Sequence, residues 1–132
     1  HDGSLTTIHA NTPRDALGRI ENMVSMTGAT FPIKALRQQI ASAIDVVIQL
    51  ERQEDGKRRL VSVQEINGME GEVVTMTEIF TFERRGMGEH GEVLGEYRPT
   101  GMVPAFREAL AKRGIELPLN LFRPDWMEAL QS

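Results

Sequence analysis

The feature that most constrains this chain is a change of hydrophobic period at Asp45. Before that residue the apolar side chains recur at helical spacing, and after it they alternate in twos. A 3.6-residue stripe lines one side of a helix, whereas alternation lines one face of a pleated strand. The chain therefore joins a helical part to a sheet part. In the first, Ala16, Leu17, Ile20, Met23, Val24 and Thr27 form one stripe. Thr12 suits the N-cap, Pro13 the first helical position, and Asp15 the first turn, where an acid opposes the positive end of the helix dipole. Gly28 is a natural stop. Pro32 opens a second helix with Ile33, Leu36, Ile40 and Ile44 on one side.

In the second part, residues 46–52 read as a strand, Glu54-Asp55-Gly56-Lys57 as a hairpin turn, and residues 59–66 as the returning strand. Asn67-Gly68 with Gly71 predicts another turn. Residues 73–82 then form a third strand, with Val74, Met76, Phe80 and Phe82 on one side. Residues 84–91 are rich in glycine and charge and read as a flexible connector. A short strand over 92–98, a helix over 104–113 ending at Gly114, and a last helix over 124–130 complete the expectation. Ahead of the first helix, Ser4-Leu5-Thr6-Thr7-Ile8 is rich in β-branched residues and reads as a short strand.

Composition bounds the function classes. The 132 residues carry 15 Lys and Arg against 19 Asp and Glu, with no cysteine. One domain is the default at this length. The absence of cysteine excludes a disulfide scaffold and a thiolate metal site. No apolar run approaches the roughly 18 residues of a membrane span. Mild acidity and five Phe, one Trp and one Tyr argue against a nucleic-acid surface.

Few motifs carry chemistry. The phosphate-loop pattern G-x-x-x-x-G-K-[ST] does not occur in these residues. Gly86, Gly88 and Gly91 do spell G-x-G-x-x-G, but no amphipathic helix opens behind them and the flanking acids repel phosphate, so a solvated connector is the better reading. The histidines His1, His9 and His90 share no metal-ligand spacing, and no metal site is expected. His9 stands out, because it lies at the end of a short strand and precedes a helix start, a place where anions collect. Thr6, Thr7, His9 and Asn11 bring hydroxyl, imidazole and amide groups there together. The plainer reading remains open: the threonines fill a half-buried strand while Asn11 and Thr12 turn and cap. Arg58-Arg59 and Arg84-Arg85 read as solvated charge, or as contacts to a neighbouring subunit or a phosphate.

The run Gly3-Ser4-Leu5-Thr6-Thr7-Ile8-His9-Ala10-Asn11-Thr12-Pro13-Arg14-Asp15-Ala16-Leu17-Gly18-Arg19-Ile20-Glu21 resembles the histidine box of the secretion ATPases. The likeness is greatest to the CpaF group, the tight-adherence (Flp) pilus assembly ATPases of the type II/type IV secretion superfamily. It extends through Phe31-Pro32-Ile33, Gly68-Met69-Glu70-Gly71 and Pro99-Thr100-Gly101 to Leu117-Pro118-Leu119-Asn120-Leu121-Phe122. The resemblance implies an α/β fold, the C-terminal piece of a RecA-like domain. In that fold a parallel-type strand and helices lead into an antiparallel three-stranded meander and a small helical tail. Residues 1–83 would complete the ATPase domain, 84–91 a connector and 92–132 a C-terminal extension. It further implies a cytoplasmic homo-hexamer peripheral to the inner membrane, working with membrane-platform proteins and with no nucleic-acid partner. ATP and Mg²⁺ would be held by the complete enzyme. His9, Thr6 and Thr7 would sense the terminal phosphate, with His1 and Asn11 beside the nucleotide. Without the phosphate loop these residues alone are expected to be inactive and to hold no nucleotide tightly. A non-enzymatic module for subunit contact or partner docking is the alternative.

Overall fold

The computed structural model describes residues 3–28 and 30–124. Two helices, α1 (Pro13–Ser25) and α2 (Ile33–Ala43), precede four strands, β1 (Val46–Arg52), β2 (Arg58–Glu70), β3 (Val73–Met87) and β4 (Val93–Pro99). A short helix α3 (Phe106–Ala111) and a 3-10 turn, Leu119–Phe122, come last. The strands form one sheet in the order β1-β2-β3-β4, and every neighbouring pair is antiparallel.

Local chemistry accounts for both long helices. The extended Thr12 (φ −141°, ψ 160°) places its hydroxyl to accept from the Asp15 N–H at 3.0 Å, and Pro13 stands next at the first helical position. The stripe of α1 then meets that of α2. Leu17, Leu36 and Ile40 bury against Ile66 of β2 and Val74 of β3, flanked by Ile20, Val24, Ile44, Val47, Met69 and Met76. Each fully buried aliphatic side chain contributes about 1.5–3 kcal/mol, so this contact fixes which sheet face the helices cover.

The architecture corrects the expected RecA-like piece. No parallel strand pair occurs among the described residues, and the meander has four strands rather than three. Residues 4–8 run without regular secondary structure, so their β-branched composition produces no ladder. A strand needs a partner for its N–H and C=O groups, and propensity alone does not supply one. The fourth strand arises because β3 continues through Arg84 to Met87, where Arg84 pairs with Gly95 and Met87 with Val93. Glycines make this possible by bulging instead of breaking. The register slips at Gly68 (φ +148°) and again at Gly86 (φ +155°), and pairing resumes beyond each. Of the turn expected at Asn67-Gly68 with Gly71, Asn67-Gly68 lies inside β2 and the chain turns at Gly71-Glu72. The helix expected over 124–130 falls almost wholly on residues outside those described.

The opposite sheet face is closed by the C-terminal segment. Glu65 precedes Ile66 on β2 and so points away from the helices. Its carboxylate is buried and accepts from the N–H groups of Ala105 and Phe106, at 2.9 and 2.8 Å. Asn67 donates to it as well, at 3.2 Å. Ala105 occupies the N-cap of α3 and provides no side-chain acceptor. Glu65 thus caps a helix some forty residues away. Phe122, 1% exposed, seats its ring 5.8 Å from that of Phe80. Removing the carboxylate leaves two N–H groups without an acceptor. Glu65→Ala is expected to cost about 1–3 kcal/mol, and Glu65→Gln, which keeps one acceptor oxygen, less. Urea denaturation of the two variants checks the order.

Candidate functional site

The candidate residues Thr6, Thr7, His9 and Asn11 lie on one extended stretch that enters the N-terminus of α1. Two contacts fix its end. Gln49 of β1 donates from Nε2 to the carbonyl of Ala10 at 3.0 Å, and Pro13, the first residue of α1, is buried. All four side chains are exposed and make no hydrogen bond or ion pair among the described residues. The structure therefore places these polar groups in sequence at one helix entrance, without internal partners and without bringing their side chains into contact. His1 lies outside the described residues. Leu5, on the same stretch, is completely exposed at 102%, so no part of the described chain covers it.

The glycine-rich stretch is occupied by its own chain. Gly88 N–H donates to the Glu92 carbonyl at 2.7 Å, Gly91 N–H to the Gly88 carbonyl at 3.2 Å, and His90 N–H to the Glu92 carboxylate at 2.9 Å. An anion would have to displace two backbone carbonyls and the Glu92 carboxylate from these donors. The next element along the chain is β4 and not a helix, so the G-x-G-x-x-G letters lack the geometry of a nucleotide loop.

Most of the paired arginines are likewise engaged. Arg59 forms a two-pronged ion pair with Asp55, at 2.9 Å to Oδ1 and 2.8 Å to Oδ2, and lies 6.0 Å from the centre of the Phe82 ring. Arg84 pairs with Glu54, and Arg85 with Glu96 at 3.1 Å. Asp55 does more than neutralise Arg59. It accepts from Lys57 N–H at 3.1 Å inside its own turn and from Val93 N–H at 3.0 Å where β4 begins. One carboxylate joins the β1–β2 turn to the last strand.

The Arg59 hydrogen bonds, followed by the Val93 N–H, hold the Asp55 carboxyl well below the usual carboxylate range. A depressed folded-state value means that the stabilisation is complete above the ordinary Asp value of about 4 and is lost as pH falls toward the folded-state value. Acid titration of stability should show a loss below about pH 4 that is reduced in Asp55→Asn. Thermal melts from about pH 7 down to about pH 2 measure it.

Among the described residues no group of three or more His, Cys, Asp or Glu is placed to hold a metal ion. Sequence reasoning passed over a different grouping. Arg14, Gly18 and Glu21 succeed one another at i, i+4 and i+7 on α1 and line a cavity with Arg37 of α2. The α1 spacing was readable as a single helix face, but Arg37 arrives from another element.

No family model matches the chain. Over 77 residues, 58% of the chain, it is 32% identical to a putative conjugal transfer protein of Mycobacterium tuberculosis, in two strains. Over 71 residues it is 32% identical to the conjugal transfer protein TrbB of Rhizobium radiobacter. The chain is similar to conjugal transfer proteins. Its matching part spans about a fifth of the length of each relative, 21% and 20%. These matches overturn the tight-adherence pilus assignment, and the histidine-box label falls with it, since the relatives are named for conjugal transfer. Residues 6–11 remain candidates on their own chemistry. Among the described residues no helix is long and apolar enough to cross a membrane.

Proposed function

We propose that this chain is part of an ATP-driven motor of a conjugal-transfer, type IV secretion apparatus. The similarity to conjugal transfer proteins supports the reading. The observation that carries it is the exposed run Thr6, Thr7, His9 and Asn11, held at the entrance of α1 with no internal partner among the described residues. Hydroxyls and an imidazole are a donor set that fits phosphate oxygens. In this reading ATP and Mg²⁺ are bound by the remainder of the whole protein, and the group they supply here is the terminal phosphate. Thr6 and Thr7 orient that phosphate, and His9 donates a hydrogen bond where charge shifts during hydrolysis. Asn11 lies beside them. The whole protein works as a homo-hexamer at the cytoplasmic face of the inner membrane, against membrane-embedded secretion proteins and without a nucleic-acid surface on this chain. These 132 residues, which carry no phosphate loop, do not hydrolyse ATP alone.

A docking module without catalytic duty is the second reading, favoured by the complete exposure of Leu5. His9→Ala in the whole protein separates the two. Because the His9 side chain has no partner among the described residues, the melting temperature is expected to stay unchanged. Turnover is expected to fall about 100-fold, equivalent to about 2.7 kcal/mol, with ATP affinity retained, as for an interaction made mainly in the transition state. Normal turnover in the folded variant would reject the phosphate role.

A further inference from the structure

Between α1, α2 and the start of β3 lies a cavity of about 230 Å³ into which two arginines, Arg14 and Arg37, contribute. None of residues 6–11 lines it. We propose that it receives one carboxylate, the acidic side chain of a docking protein segment. The inference does not depend on the ATP reading above.

The two guanidinium groups are held in place but not saturated. Arg14 donates from Nη2 to the Val74 carbonyl at 3.0 Å. Arg37 donates from Nε to Glu21 at 2.7 Å and from Nη1 to the Glu72 carbonyl at 2.9 Å. Arg14 Nε and Nη1 and Arg37 Nη2 have no acceptor among the described residues. Donors anchored through their other nitrogens lose little freedom on binding an oxyanion, and the planar guanidinium fork matches a carboxylate.

Charge selects the ligand. Arg37 is ion-paired with Glu21 and also lies in the field of Glu72, whereas Arg14 forms no ion pair among the described residues, so the unbalanced charge is that of Arg14, which a single carboxylate balances. A phosphate dianion would add a second negative charge beside Glu21. Size selects its carrier. Pockets that enclose a small molecule run to about 300–1,000 Å³, and this cavity is smaller. It takes the tip of a side chain whose backbone stays outside. Val73, which lines the cavity and is 53% exposed, gives the rim an apolar contact for the carrier.

Gly18 keeps the cavity open. It sits in the middle of α1, where glycine costs about 0.5–1 kcal/mol relative to alanine. Neither backbone nor packing demands it: its φ is not positive, and a Cβ built there meets nothing within 4 Å. A side chain at this position would grow into the space that the carboxylate is to occupy.

The test uses the 132-residue chain and three probes: the peptide acetyl-Gly-Glu-Gly-amide, its Gln counterpart, and inorganic phosphate. Nitrogen-edited NMR follows the Arg14 and Arg37 Nε–Hε signals and the Val73 and Val74 amides. The Glu peptide is expected to shift them saturably and the Gln peptide not to. Gly18→Leu, which fills the cavity and improves helix propensity, should weaken binding at least about tenfold, or 1.4 kcal/mol, without lowering the melting temperature. Arg14→Gln, which removes one of the two charges, should abolish the shifts and guards against a Gly18 variant that fails to fold. Equal shifts with the Glu and Gln peptides, or unchanged Glu binding in both variants, would overturn the site. Tighter binding of phosphate than of the Glu peptide would overturn the choice of a carboxylate.

Discussion

The packing of Leu17, Leu36 and Ile40 against Ile66 and Val74 is the contact on which the rest of the structure depends. It seats α1 and α2 on one face of the sheet. Because α1 is a rigid rod beginning at a capped Thr12, its seat also decides where residues 6–11 leave the domain. The same seat brings Arg14 of α1 and Arg37 of α2 to one gap above Val74. Five buried side chains at about 1.5–3 kcal/mol each are a large gross term beside a net stability of about 5–15 kcal/mol.

Carboxylates organise what the apolar stripes do not. Glu65 accepts the first N–H groups of α3 from across the sheet, and Asp55 accepts the first N–H of β4 from the β1–β2 turn. Both use one device: an acid from an early element satisfies the free donors at the start of a later one. A charged acceptor forms stronger hydrogen bonds than a neutral one, which suits termini whose own residues bring no acceptor. Ala105, at the N-cap of α3, is such a residue. Within the β3–β4 connection the Glu92 carboxylate likewise accepts from the His90 N–H. An acidic composition thus serves the fold itself.

Those long-range acceptors mark the limit of what was legible in the sequence. The helix ends were readable because Thr12, Pro13 and Gly28 act on their immediate neighbours. The strands from Val46 onward were readable because alternation is local too. The strand expected over residues 4–8 failed since its existence depends on a partner that composition does not name. The fourth strand was missed as part of the meander for the converse reason: glycines that look like a loop become bulges once β4 is available to pair. Asp55 looked like a turn residue and Glu65 like one strand acid among several. Their remote N–H partners are set by tertiary placement alone. In the candidate site, the exposed run at the entrance of α1 was visible as a cluster of residue types, whereas the two-arginine cavity required α2 to be brought beside α1.

The two surfaces proposed to bear on function share one element. Thr12, whose hydroxyl ends the run of residues 6–11, is two positions from Arg14, and Arg14 is one helical turn from Gly18. Helix α1 is 13 residues long, or about 20 Å at 1.5 Å per residue, and its interior hydrogen bonds keep it from bending over that distance. A load applied at Arg14 would reach Thr12 over two residues, about half a helical turn, while Gln49 holds the preceding carbonyl of Ala10 to the sheet. The joint between rod and sheet at residues 10–12 is where such a load must be absorbed. It consists of one amide hydrogen bond at 3.0 Å, one hydroxyl cap at 3.0 Å and the buried ring of Pro13. That joint is the last fixed point before the exposed stretch that carries His9 and its neighbours.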